Sequence, residues 1–253
     1  MLRFQEAIKF PVFFFGPVRF TSLKGKLVIN APLKRNMIRF GFNQEIGQAR
    51  IGNAELLLDG TFVLNGRFVT SNDCKIFILK DATLEIGEGS HFGSRTVVAA
   101  VKRIGLGKHF RLSYESQIVD SNFHFLMDLE TNLVSNAKKE IIMGDYCWVG
   151  NRSSIMKGTV TPRNLIIASN SLLNKDYTST VPENAIIGGT PARLLRKNVV
   201  RVYDPGLEQS IFNYFVEFPE ENYYQKREPG NPPLTPIDPC LGPLPSKTIA
   251  KQK

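Results

Sequence analysis

His124, in the run DSNFHFLMD at residues 120–128, is the side chain best suited to move a proton at neutral pH. An imidazole has its unperturbed pKa near neutrality, so it can take a hydroxyl proton and hand it on. Asp120 stands earlier in the same run, where it could orient that imidazole and fix its tautomer, as a third group does in acyl-transfer sites. The residues alone leave two uses open for each. His124 is a general base or a satisfied loop histidine; Asp120 is its orienter or the cap of a turn. A second group is cationic: Lys175, Arg193, Arg196 and Lys197 suit a polyphosphate. Arginine grips phosphate oxygens as a fork and lysine acts as a point charge. Any one of them also reads as a solvated charge.

The elements that position these groups are announced by a repeat. Residues 143–176 divide into blocks of six led by Met143, Val149, Ile155, Thr161, Ile167 and Leu173. The same phase appears at Ile86, Phe92, Val98, Ile104 and Phe110, with Gly87, Gly93, Ala99 and Gly105 just behind. A period of six fits neither a helix nor a simple alternating strand. It fits short strands joined by corners, three blocks closing a triangular coil of about 18 residues. The expected fold is therefore all-β, a parallel β-helix. Residues 18 apart should stack at ~4.8 Å, as in Ile86/Ile104, Phe92/Phe110, Gly87/Gly105 and Met143/Thr161. Lys80 breaks the earlier phase through Leu56, Phe62, Phe68 and Cys74.

Four regions follow. Residues 1–41 read as an N-terminal extension or cap. Residues 42–197 read as the β-helix domain, interrupted by an insertion at 120–139 that leaves the register. Residues 198–225 hold a short helix, with Leu207, Ile211, Phe215 and Phe218 on one face and Pro205 in its first turn. Residues 226–253 are proline-rich and expected to be an extended or disordered tail, not packed in a core. The opening run MLRFQEAIKFPVFFFGPVRF is too short and too broken by Pro11, Gly16 and Pro17 to span a membrane, and it lacks a signal-peptide cleavage site. It reads as a cap over the open solenoid, or as an interfacial contact with Arg3, Lys9 and Arg19 facing anionic headgroups. Cys74, Cys147 and Cys240 fit no disulfide framework or zinc spacing, which points to a reducing cytoplasm. The net charge of +9 suits a phosphate-bearing or membrane partner; no nucleic-acid motif accompanies it.

The runs IIMGDYCWVGNRSSIMKGTVTPRNLIIASNSLLNKD and IIGGTPARLLRK resemble the left-handed β-helix acyltransferases, notably sugar and polysaccharide O-acetyltransferases of the maltose/galactoside acetyltransferase type. The Trp-Val-Gly at 148–150 and the Gly-Thr-Pro-Ala-Arg at 189–193 are the specific pieces. The resemblance implies a left-handed coil, a homotrimer with clefts between subunits, and acetyl-CoA as acyl donor. It implies that His124 is the general base, since Asp120-Ser-Asn122-Phe-His124 matches an Asp-x-Asp/Asn-x-His segment. It carries over Gly150, Ala168, Ser169, Lys175, Arg193 and Arg196 to the cofactor and Trp148 to the wall of the cleft, with Asn122 on the acceptor side. Phe125 stands where the maltose-type enzymes usually have proline, and Ile-Ala-Ser-Asn-Ser replaces their Gly-Ala-Gly-Ser. The implied activity is O-acetylation of a sugar or surface-polysaccharide precursor. The cysteines place it in the cytoplasm, and the basic charge and apolar N-terminus point to an acceptor at the inner membrane surface.

Other classes are an N-acetyltransferase acting on an amino sugar, a γ-carbonic-anhydrase-like metal protein, and a non-catalytic β-helix scaffold. His91 and His109 lie 18 apart and should stack, but with His124 they do not match the zinc spacing of the γ-class enzymes. Each precedes an inward Phe and so should point outward into solvent. No metal is expected.

Overall fold

The computed structural model describes residues 10–42 and 52–224. The proline-rich tail, Cys240, Arg3 and Lys9 lie outside the described residues. The chain divides into two compact units, Met1–Val200 and Arg201–Lys253.

Short strands in the first unit visit three parallel walls in rotation, the topology of a parallel β-solenoid. The first wall runs through Val12–Phe14, Ile38–Phe40, Phe68–Thr70, Ser90–Phe92, Arg111–Leu112, Trp148–Val149, Leu165–Ile167 and Ala185–Gly188. The second runs from Val18–Ser22 to Leu172–Leu173, and the third from Lys26–Ile29 to Ile141–Met143, extended by bridges at Val160 and Asp176. All the block-leading residues of both expected registers are buried: Ile86, Phe92, Val98, Ile104 and Phe110, then Met143, Val149, Ile155, Thr161, Ile167 and Leu173. This narrow core takes only one or two alternate side chains per wall per turn, as Leu84 and Ile86 on one strand, so the inward phase is strict.

The coil length is not uniform. Only the late coils have 18 residues: Trp148 pairs with Ile166, Ser154 with Leu172, and Thr161 Oγ1 lies 3.7 Å from Met143 Sδ. Ile104 pairs with Leu84 rather than standing over Ile86, and Phe92 pairs with Leu112 rather than Phe110. Those coils span 20 residues, as the pairing of His91 with Arg111 shows, and the one before spans 22, as the pairing of Lys75 with Val97 shows. The extra residues go into the corners. The turn at 79–82 closes through the Ala82 N–H to the Leu79 carbonyl at 3.0 Å, with Asp81 at φ 63°. Lys80, which interrupts the sequence phase, is exposed in that turn.

The solenoid also starts earlier than the Phe42 boundary expected from the sequence. Val12–Phe14, Val18–Ser22 and Lys26–Ile29 each pair in parallel with the next turn, so much of the supposed extension is itself a turn of the coil. In the second unit, residues 205–217 form helix α1 (Pro205–Glu217), where the helical spacing placed it. Asp204 caps it by accepting the Leu207 N–H at 2.7 Å, and proline opens its first turn. No helix among the described residues is long and apolar enough to cross a membrane.

Candidate active site

The insertion leaves the prism at the edge between the second and third walls. Its stems are tied by Lys139 N–H to Asp120 carbonyl (3.0 Å) and Asn122 N–H to Ala137 carbonyl (2.8 Å). Beyond them lies an antiparallel hairpin, Leu126–Met127 against Val134–Ser135. The hairpin turn is held by Asp128, which accepts the N–H groups of Glu130 and Thr131; the Thr131 amide lowers the carboxyl pKa. His124 sits on the ascending side of this loop and is exposed. Among the described residues no hydrogen bond or ion pair holds its ring. Phe123, Phe125, Leu126, Met127, Leu129, Leu133 and Val134 are exposed around it, a concentration of apolar surface unusual for one loop.

Asp120 is buried at the root of the loop. Its carboxylate accepts the backbone N–H groups of Val101 (2.7 Å), Lys102 (2.8 Å) and Arg103 (2.8 Å). Both oxygens are engaged by the corner of the preceding coil, and neither meets His124 within the chain. The turn-capping use of Asp120 is the one this geometry displays, and it clamps the loop to the scaffold. Asn122 contributes its backbone to the stem and is half-buried.

Beneath the loop a cleft of about 530 Å³ opens along the same edge, lined by Lys102, Lys138, Lys139, Lys157, Lys175 and Asp176 among others. Lys175 therefore belongs to a cluster of five lysines. Lys102 faces Glu140 at 3.5 Å, Lys157 donates to the Asn136 carbonyl at 2.7 Å, and Lys175 Nζ stands 5.4 Å from the centre of the Tyr177 ring. Positive charge still outweighs negative, and the cleft suits a phosphate-bearing ligand. Sequence reasoning missed four of these lysines because loop and coils bring them together. The spacing of Lys157 and Lys175, one late coil apart, was the available signal.

The other expected cofactor residues lie elsewhere. Gly150, Ala168 and Ser169 stack along the edge between the first and second walls, with Arg193 beside them through its pairing to Gly188. Stacking here requires small residues: a Cβ on Gly150 would stand 2.6 Å from the Ser169 nitrogen, and one on Gly188 would stand 2.8 Å from the Ala168 Cβ. The Ala168 N–H already donates to the Ile187 carbonyl at 2.8 Å, so this amide is held inside the coil. Arg196 pairs with Ile186 on the outer face of the first wall. Trp148 lies on that wall too, half-buried between Arg111 and Ile166, its Nε1 donating to Ser113 Oγ at 3.0 Å. Within one copy of the chain the expected site residues thus fall into two groups, a loop with a lysine cleft on one edge and a small-residue ladder with Trp148 on another.

His91 and His109 do not stack on each other, because the coil there has 20 residues. His91 pairs with Arg111, and its Nε2 lies 3.1 Å from Ser71 Oγ. His109 occupies a corner at φ 53° and stacks on Tyr146, ring centres 4.9 Å apart. Burial, then the neighbouring Arg111, lowers its pKa. Both are half-buried and partnered rather than solvated. Burial pushes the Cys74 thiol up to about 12 and the Cys147 thiol up to about 11, so neither supplies a thiolate near neutral pH.

No protein-family model matches the chain. The chain is 26% identical over 137 residues to the polysialic acid O-acetyltransferase of Escherichia coli O1:K1, covering 54% of this chain and 41% of that one. It is 28% identical over 143 residues to the polysialic acid O-acetyltransferase of Neisseria meningitidis, covering 54% of this chain and 63% of the relative. The matched stretch thus spans roughly half the length of these relatives. Among solved structures, the polySia-specific acetyltransferase NeuO superimposes with a TM-score of 0.51 at 20% identity, over 81% of this chain and 98% of that one; this likeness concerns the fold. The chain is thus similar in sequence to these polysialic acid O-acetyltransferases and similar in fold to NeuO.

Proposed function

We propose that the protein is an acetyl-CoA-dependent O-acetyltransferase acting on a hydroxyl of a sugar or polysaccharide, with His124 as its general base. The observation that carries this reading is the placing of His124. It stands on an exposed loop whose root Asp120 fixes with three backbone hydrogen bonds, above a lysine-lined cleft. Asp120 acts as a positioning residue through the loop. The neutral imidazole takes the acceptor hydroxyl proton, and the oxygen attacks the thioester carbonyl. A C–O bond forms, the C–S bond breaks, and the imidazolium returns its proton to the departing thiolate. No acyl-enzyme is required, in keeping with the inert, buried thiols of Cys74 and Cys147.

The coil is taken as left-handed and the enzyme as a homotrimer. The two groups of site residues on separate edges, and the apolar side chains around His124, support a second copy completing each site. The loop and Asn122 of one subunit would then face Trp148, Gly150, Ser169, Arg193 and Arg196 of the next, while Lys175 and its neighbours offer charge to the phosphates of the donor. The relatives' names add a polysaccharide acceptor to this reading, and the enzyme is placed in the cytoplasm at the inner membrane surface.

The test is CoA release from acetyl-CoA with a panel of neutral, amino and acidic glycans, wild type beside His124→Ala. The variant should keep its fold and lose about 10²–10⁴ in rate. Equal release by the two proteins would remove His124 from the chemistry.

A further inference from the structure

The first turn of the solenoid shows what its core looks like in cross-section. Phe14, Phe20 and Leu27 pair with Phe40, Leu56 and Phe62, all buried core residues of the next turn, so they occupy inward positions. Nothing among the described residues stacks above them. They remain 44%, 45% and 41% exposed, and the corner residues Leu23 and Leu33 are 57% and 56% exposed. The Phe14 and Phe20 rings meet edge to face at 5.0 Å, which makes a continuous apolar plate of this end.

The rim of the plate carries one sign of charge. Residues 10–42 contain six cations, Arg19, Lys24, Lys26, Lys34, Arg35 and Arg39, and no aspartate or glutamate. Arg19 is answered from the next turn by Glu55 at 3.7 Å, and Asp59 is occupied by the Ser22 hydroxyl. Lys24, Lys26, Lys34 and Arg35 are exposed and have no carboxylate partner among the described residues. This stretch therefore supplies most of the chain's net charge of +9.

We propose that the open first turn of the β-helix is a membrane-docking face, its apolar plate entering the headgroup boundary of an anionic bilayer and its lysine–arginine rim engaging lipid phosphates. An apolar centre with a cationic rim matches the layering of an anionic leaflet, where apolar contact and polybasic attraction add. A second copy docked plate to plate would bring two like-charged rims together, which charge repulsion disfavours. The face lies at one end of the coil, and its residues are absent from the proposed acyl-transfer machinery, so docking and catalysis can fail separately.

The experiment uses the full chain with neutral phosphatidylcholine vesicles and with phosphatidylcholine–phosphatidylglycerol vesicles. Co-sedimentation is expected with the anionic vesicles only and should weaken as salt rises. The double variant Lys24→Glu/Lys34→Glu should bind on the order of a hundredfold more weakly, and Leu23→Ser/Leu33→Ser about tenfold. All changed side chains are exposed, so the fold should survive, and CoA release with a soluble acceptor should be unchanged. A Leu23→Trp variant gives an independent signal, its emission moving to the blue on anionic vesicles alone. Equal binding to neutral vesicles, or none to either, would overturn the proposal. So would Leu23→Trp emission that is already apolar without lipid, which would show residues 1–9 or another copy covering the plate. Binding to an oligonucleotide without vesicle binding would reassign the face to nucleic acid.

Discussion

The two ends of the solenoid meet the same problem in opposite ways. A stack of coils leaves apolar core and unpaired strand edges at both ends. At the C-terminal end the chain supplies its own lid. Tyr177 drops into the core with 1% exposure, Val181 and Ala192 pack with it, and Arg193–Lys197 returns antiparallel along Ala185–Gly188 to cover the edge of the first wall. At the N-terminal end, among the described residues, the same core positions are left nearly half exposed, and Pro11, Pro17, Lys24 and Lys26 interrupt or charge the open edges. Proline and lysine on an edge strand discourage pairing with other chains without burying anything. One end is thus closed by its own chain. The other, among the described residues, leaves its apolar surface open behind a charged and proline-broken edge.

The sharpest way to break this comparison is to truncate matching core residues at the two ends. Tyr177→Ala removes a fully buried ring and should cost about 3–5 kcal/mol in urea unfolding. Phe14→Ala removes a ring that is already 44% in water, and should cost only about 1–2 kcal/mol. Equal costs would mean that the N-terminal plate is covered in solution. Anionic vesicles should narrow this gap by raising the cost of Phe14→Ala, because a bound bilayer adds burial for Phe14 and none for Tyr177.

The ends also show which features can be read from sequence. The inward phase was legible because every coil repeats one strict demand, an apolar side chain in a narrow core. Corner lengths were not, because a corner faces solvent and absorbs extra residues without disturbing that phase. The corners do not depend on glycine either: Asp81, Arg95, His109 and Tyr146 all take the left-handed conformation, with φ from 53° to 63°. Hence the 20- and 22-residue coils escaped an 18-residue reading, and with them the supposed stacking of His91 on His109. The first turn was hidden because its prolines and clustered phenylalanines obscure the period. The loop carrying His124 was legible as a break in the repeat. The clamp that Asp120 makes on residues 101–103 was not, since a carboxylate before a histidine reads equally well as its partner.

A smaller test lies inside the closed end. The Tyr177 hydroxyl is buried beside the Asn174 backbone but makes no hydrogen bond of ordinary geometry among the described residues. Burial also raises the phenol pKa, so the group stays neutral. An orphaned buried hydroxyl opposes folding by the desolvation it suffers. Tyr177→Phe keeps the ring in the core and keeps a π face toward Lys175, removing only the oxygen. The variant should be as stable as wild type or more stable by up to about 1 kcal/mol, read as a shift in the urea midpoint at constant slope. A clear loss of stability would show that the hydroxyl has a partner in solution, such as a buried water, and that the lid depends on a polar contact as well as on packing.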